Sequence, residues 1–555
     1  MLQTLAPKDC KPSHRVKLAI VGSGFAGIAA TLRMKQSGDD DFVVLERATD
    51  LGGVWRDNRY PGCACDVESH LYSLSFIPNP NWSRQFSPQP EIHAYLKQCA
   101  REAGVLPHIR FSTNVRRMAW DEAAGEWLID TSQGDFRARF VLTAMGTLSN
   151  PLIPDLKGLE SFQGQAFHST NWPQDIDLNG KTVAVVGTGA SAVQFIPKIQ
   201  PSVAKLYIFQ RTAPWVMPRH DGPISGETQN EYRTHPWRLR LERTKLYIQH
   251  EMLAFAFRHP LVMRVSQRGT LKHMHGAVKD PQLRKKLTPN YTQGCKRILF
   301  SNDYYPALTQ PNVHLITADA ARVTPTGVIG GDGVERPVDV IIFGTGFQIK
   351  DPPYAHHVVG TGGKSLAQTW AGSPIALAGT TVHGFPNLFL VNGPNVGLAH
   401  TSVILMLEAQ IEHALSVMRY AERKSCAIIE PRADAQQRFT SWFDRQMRGT
   451  VWTAAAKAGI SMRPDAIPRY GRVIPSPSAI ASPRCAPRST KSVKPSLPLL
   501  MLILLFARVG AQHIPRRHGI LLLHEDCFLC GVPGITNPVE ACGTARAIEA
   551  GLLQS

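Results

Sequence analysis

Apolar positions along the chain fall into short runs broken by glycine-rich turns, and one arrangement occurs twice. Residues 17–21 form a β-branched, apolar run that ends in Gly22-Ser23-Gly24-Phe25-Ala26-Gly27. Helix-forming residues follow over 28–36, and a second apolar run at 42–45 ends at Glu46. This pattern predicts a βαβ unit. Residues 110–144 give three strand-like runs separated by turn residues at 121–125 and 133–134, which predicts an antiparallel meander. A second βαβ unit is predicted from the apolar run 182–186, through Gly187-Thr188-Gly189-Ala190-Ser191-Ala192, to 206–209. A further buried strand is expected at 339–343. Residues 232–274 are charged, aromatic and helix-like, and read as part of a helical insertion over a site.

These elements predict an α/β fold with two Rossmann-like dinucleotide-binding domains, the second inserted in the first. Residues 1–150 are expected to form the first part of one domain. Residues 151–338 form the other, including the helical insertion at 215–292, and 339–453 return to the first. A chain of 555 residues exceeds what one hydrophobic core supports, so more than one domain is required.

A glycine triplet at a strand-to-helix turn lets the backbone approach a pyrophosphate, which the helix N-terminus holds through its free amides and dipole. Gly22, Ser23, Gly24 and Gly27 are placed for this, and Glu46 at the end of the second strand is placed to bond ribose hydroxyls. An acid there suits a ribose with free hydroxyls, as in FAD. The second turn, with Gly187, Thr188, Gly189, Ser191 and Ala192, lacks that acid, and its second strand runs into Gln210-Arg211-Thr212. A guanidinium there pairs with a 2′-phosphate, so Arg211 and Thr212 point to NADPH.

Composition narrows the class. Apolar residues make up 43% of the chain and charged residues 19%, as in a globular protein. Of the net charge of +18, residues 454–555 carry +7, from 12 Lys/Arg against 5 Asp/Glu. The remaining +11 suits cofactors carrying several phosphates, and the concentrated basic stripe with stacking aromatics that nucleic acid needs is missing. The longest apolar run, 499–507, is too short for a transmembrane segment. Lys8, Asp9 and Lys11 precede the first strand where a signal peptide would be apolar. Ten cysteines without regular spacing read as free thiols, which gives a cytoplasmic address. Cys527-x-x-Cys530 has no partner pair, so no metal site is expected.

Two further motifs carry a resemblance. Phe162-x-Gly164-xxx-His168-xxx-Trp172-Pro173 resembles the fingerprint of the Baeyer–Villiger monooxygenases, just before the second glycine turn. Gly52-Gly53-Val54-Trp55-xxxx-Tyr60-Pro61-Gly62-xxx-Asp66 is similar to that family's second signature. The resemblance covers residues 15–453. It implies that hydride passes from NADPH to FAD and that a C4a-peroxyflavin inserts one oxygen atom from O2 into a ketone. It further implies that Arg297, in Gly294-Cys295-Lys296-Arg297, is the active-site cation, that Asp66 is its carboxylate partner, and that Lys296 sits near the dinucleotide phosphate. Val54, Trp55, Asp66, Tyr72 and Val115 join the flavin-binding set by the same resemblance. Phe162, Gly164, His168 and Trp172 become a linker that couples the two domains. His400 lies in a segment similar to the family's late strand-loop-helix over the flavin, and reads as a loop histidine satisfied by backbone.

The resemblance stops at Thr453. Codons exist for residues 454–462 that, read two bases later, spell Gly-Cys-Lys-Ser-Trp-Tyr-Leu-Asp, the family's usual continuation. Residues 454–555 are therefore read as a frameshifted, aberrant tail, expected to be disordered, with a genuine divergent C-terminal extension as the alternative. Two alternatives stay open: a monooxygenase that oxygenates nitrogen or sulfur, and a nucleotide-binding relative made inactive by its altered C-terminus. Cys63-x-Cys65 lacks the spacing of a disulfide reductase, and both residues read as ordinary thiols.

Overall fold

Each glycine turn sits where a buried strand hands the chain to a helix, and the same steric conflict selects glycine in both. Gly22 has φ +102°, and a Cβ there would meet the Ala144 carbonyl oxygen at 2.7 Å. Gly187 has φ +101°, and a Cβ there would meet the Gly344 carbonyl oxygen at 2.6 Å. A side chain at either position would force the turn away from the neighbouring strand end.

The computed structural model describes residues 14–451, except 350, 397–399 and 449. In the first unit, β1 (His14–Val21) ends in four buried residues, α1 (Phe25–Gln36) follows, and β2 (Phe42–Leu45) is wholly buried. The helix α2 (Gln89–Glu102) packs against α1, and the short β3 (Ile109–Arg110) pairs with β2. Then β4 (Val115–Asp121), β5 (Glu126–Thr131) and β6 (Phe136–Thr143) form the expected antiparallel meander. β6 also lies parallel to β1, with Leu142 opposite Ile20.

The second unit contains β7 (Gln165–His168), β8 (Thr182–Val186), α3 (Ala190–Ile199) and β9 (Lys205–Phe209). The insertion that follows is helical, as expected: α4 (Pro236–Arg258), α5 (Pro260–Ala277) and α6 (Pro281–Leu287). After it come β10 (Val313–Ile316), a three-stranded antiparallel ribbon of β11 (Ala320–Thr324), β12 (Gly327–Gly330) and β13 (Glu335–Pro337), and then β14 (Val340–Phe343). The second sheet is all parallel, in the order β10-β9-β8-β14-β7. Its central strands β8 and β14 are apolar and almost wholly buried, as strands covered on both faces are.

This order corrects one domain boundary. A division at 338/339 assigns β14 to the first domain, but β14 pairs with β8 and β7 in the second sheet. The return to the first sheet comes later, with β15 (Val358–Val359) beside β4 and β16 (Leu388–Leu390) beside β6. The helices α7 (Val403–Arg423) and α8 (Ala433–Met447) follow. Phe443, Met447 and Val451 pack with Trp215, Phe257, Met263, Tyr291 and Cys295, so α8 and the residues just after it anchor the insertion. Among the described residues no helix is long and apolar enough to cross a membrane. The tail at 454–555 lies outside the described residues.

Candidate active site

Both helices that follow a glycine turn start without a side-chain cap and without an acid in the first turn: α1 behind Gly24 and α3 behind Gly189. Their first amides are left for an external acceptor, and the helix dipole favours an anion there. This fits a dinucleotide pyrophosphate at each turn. At the first, Glu46 is buried and accepts from the Ser23 amide (2.9 Å), the Ser23 hydroxyl (2.7 Å) and the Ala48 amide (2.9 Å). Arg56 donates to it at 3.1 Å, a partner that the sequence reading did not identify. Burial alone would raise the Glu46 carboxyl, but these hydrogen bonds and the Arg56 charge outweigh it and hold the group below its ordinary value.

The second signature lies against the same turn, because the Gly52 amide donates to the Ser23 carbonyl (3.0 Å). Val54 is partly buried, and the Trp55 indole donates to the Tyr72 hydroxyl (3.0 Å). Tyr72 meets Phe25 edge-on at 5.3 Å, which ties this aromatic group to the start of α1. Val115 opens β4, and two residues before it the Thr113 amide donates to the Glu46 carbonyl (2.8 Å).

The fingerprint residues pack on the second unit, and a neighbour of Trp172 reaches the first. Gly164 has no room for a side chain: a Cβ would sit 2.2 Å from the Asp339 carbonyl oxygen. Phe162 packs on the second unit's core. The buried His168 ends β7, and its Nδ1 accepts from the Thr170 amide (3.2 Å), capping the turn that leads to Trp172. Burial lowers the His168 pKa. Trp172 packs on Phe167 and Phe195, each at 5.3 Å, and Phe195 in turn meets Tyr60. The Tyr60 hydroxyl donates to Gln194 Oε1 (2.9 Å), and Gln194 Nε2 donates to the Ala64 carbonyl (3.0 Å). The loop carrying Asp66 is therefore bolted to α3.

Asp66 and Arg297 meet. The guanidinium donates from Nε to Oδ2 (2.8 Å) and from Nη2 to Oδ1 (2.6 Å), a bidentate pair with the arginine half-exposed. The Cys295 thiol, two residues before Arg297, is buried and donates to the Val451 carbonyl (3.0 Å), which fixes the segment to the backbone just after α8. Partial desolvation and the charge of Arg211 hold the Lys296 ammonium below its ordinary value.

Arg211 and Thr212 line a cavity of about 620 Å³ together with Gln282, Lys285 and Lys286 from α6. Thr188 faces the same strand end, its hydroxyl donating to the Thr212 carbonyl (3.4 Å). The two α6 lysines were not singled out from the sequence, where Arg284-Lys285-Lys286 looks like any solvated charge run. His400 departs from its expected environment: its ring faces Glu251 at 3.4 Å, while its own carbonyl accepts from His250 Nδ1. The buried Cys63 thiol is pushed up to about 12 by desolvation, so it is not poised for redox exchange.

Residues 15–368 match the model of the flavin-binding monooxygenase-like family. A Baeyer–Villiger monooxygenase of Pseudomonas aeruginosa is 46% identical over 444 residues, covering 80% of this chain and 84% of that protein. The chain belongs to the Baeyer–Villiger monooxygenases. Solved structures agree with it in fold. Cyclohexanone monooxygenase from a Rhodococcus species, bound to NADP+, superposes with a TM-score of 0.74 at 28% identity, covering 82% of this chain and 93% of that one. OTEMO in complex with FAD and NADP gives 0.72 at 29% identity, covering 79% and 92%. Baeyer–Villiger monooxygenases are flavoproteins, and in this member the two glycine turns provide two nucleotide cradles of matching geometry.

Proposed function

We propose that this chain is an FAD- and NADPH-dependent enzyme that oxidises a ketone to an ester or lactone, with Arg297 and Asp66 at the reacting centre. One oxygen atom of O2 enters the carbon–carbon bond beside the carbonyl, the other leaves as water, and NADPH supplies the two electrons. FAD, when bound, takes the hydride and activates the oxygen; the protein contributes position and charge.

The single observation that carries the reading is the Asp66–Arg297 pair. Negative charge develops on oxygen during the transfer, and a guanidinium remains protonated at any working pH. Asp66 holds that guanidinium in one orientation and moderates its charge. The α1 N-terminus and Glu46 would hold the FAD pyrophosphate and ribose. The α3 N-terminus would hold the NADPH pyrophosphate, with Arg211, Lys285 and Lys286 facing its 2′-phosphate. A sulfide in the place of the ketone is proposed as a second acceptor for the same oxygen atom. The cytoplasm is proposed as the compartment; Cys63, Cys65, Cys99 and Cys295 are free thiols as expected, whereas Cys426 is disulfide-bonded, which corrects the reading of all ten as free.

The test is NADPH oxidation by the FAD-loaded protein against a panel of cyclic, linear and aromatic ketones and one sulfide, with products identified. Ketone-dependent ester formation supports the reading. Sulfoxide without any ester, or NADPH oxidation that no ketone stimulates, overturns it.

A further inference from the structure

The helical insertion presents two apolar faces, and among the described residues only one is packed. On α4, Leu239, Leu246, Ala254 and Phe257 are buried. On that side Arg243 donates to the Ser73 hydroxyl (2.8 Å), and His250 meets Glu68 at 2.7 Å, so this face closes on residues 68–73 beside Asp66. Val451, just after α8, belongs to the same apolar cluster as Phe257 and Met263.

The other face is open. Trp237, Leu241, Ile248, Met252 and Phe255 are each half exposed or more, and Met252 reaches 70%. At 3.6 residues per turn these five positions fall within an arc of about 60°, in a stripe about 27 Å long. At the junction with α5, Leu261 and Val265 extend the stripe, exposed by 71% and 67%. A helix apolar on both sides is normally covered on both, and a contiguous apolar patch of this length marks a contact surface.

Charge identifies the partner. Arg240 and Arg258 on α4, and Arg264, Arg268 and Lys272 on α5, are exposed along the stripe, while Arg238 and Lys245 pair with Glu231 and Glu242. No acidic residue between 236 and 273 is exposed: Glu242 lies 3.3 Å from Lys245, and Glu251 faces His400. A second copy of this chain would bring the same cations face to face across a symmetric contact. An anionic lipid surface offers the complement: acyl chains for the stripe and headgroup phosphates for the rim.

We propose that the exposed face of α4 and α5 seats the protein on an anionic bilayer surface, with Trp237, Met252, Phe255 and Leu261 at the headgroup–acyl boundary. This goes beyond the reaction. It would place the outer wall of the candidate site against the lipid phase, into which apolar ketones partition.

Flotation of the full-length, FAD-loaded protein with phosphatidylglycerol/phosphatidylcholine vesicles tests this, beside pure phosphatidylcholine vesicles and the Met252→Asp/Phe255→Asp double variant. The wild type floats with the anionic vesicles, less so at raised salt or with the neutral ones. The double variant keeps its flavin absorbance and NADPH oxidation, yet its partition coefficient falls about tenfold or more, because two apolar side chains no longer enter the bilayer. Equal flotation of variant and wild type overturns the proposal, since another segment then holds the lipid. So does failure of the wild type to float, including the case in which the double variant converts a dimer to a monomer.

Discussion

Arg297 and Asp66, 231 residues apart in sequence, meet fork to fork through hydrogen bonds of 2.8 and 2.6 Å. With the arginine half-exposed, such a pair adds little to stability, about 0–1 kcal/mol. Its consequence is orientation. In Asp66→Asn the melting temperature should stay close to wild type, while ester formation falls by about 10- to 100-fold because the cation is no longer held in position. Steady-state kinetics beside a thermal melt check this; a large drop in melting temperature with unchanged kcat would show the pair to be structural.

Glu46 carries the opposite balance. It is buried and accepts three protein hydrogen bonds in addition to that of Arg56, so Glu46→Gln should weaken FAD retention and stability by about 1–3 kcal/mol. The measurement is FAD content per protein after gel filtration. The pH dependence has a fixed sign. Folding lowers the Glu46 pKa, so the unfolded chain takes up this proton first. Its contribution is complete above the ordinary glutamate value of about 4.3 and drains as pH falls through the depressed folded value. The Gln variant should lack that part of the acid limb of a stability curve.

Three cations from two elements, Arg211 at the β9 end and Lys285 and Lys286 on α6, share one cavity. Arg211→Ala should raise the KM for NADPH by about 10- to 100-fold and leave NADH little changed, since a charge-assisted phosphate contact contributes about 1.5–3 kcal/mol. Lys285→Ala/Lys286→Ala should move the same ratio in the same direction. Lys296, held below its ordinary pKa, loses its charge earlier as pH rises. Affinity for NADPH should therefore weaken on the alkaline side before an ordinary lysine titrates near 10.4, with NADH much less affected. Parallel loss for both nucleotides would place these lysines outside the phosphate site.

Much of this site was legible because turn chemistry is local. A strand, a glycine triplet, a helix and a terminal acid are fixed by a few neighbouring residues, and Gly22 and Gly187 stand where side chains cannot. Long-range pairing was less legible. Val340–Phe343 is apolar at every position and carries no period that says which sheet it joins, so the boundary fell one strand early. Arg56 reads as a surface charge in Trp55-Arg56-Asp57 until the fold lays it across Glu46. Lys285 and Lys286 come beside Arg211 only when α6 closes on the end of β9. Arg297 and Asp66 came from a resemblance and not from spacing, because nothing local to either residue announces the other.

The most direct test of the central claim compares Arg297→Ala with wild type in two separate steps. Anaerobic mixing with NADPH reports reduction of the flavin, and aerobic turnover with a ketone reports ester. Reduction should survive within a few-fold, because the two nucleotide cradles are intact, while ester formation should fall by about 100-fold or more. Ester formation at the wild-type rate by Arg297→Ala would contradict the role given to that guanidinium.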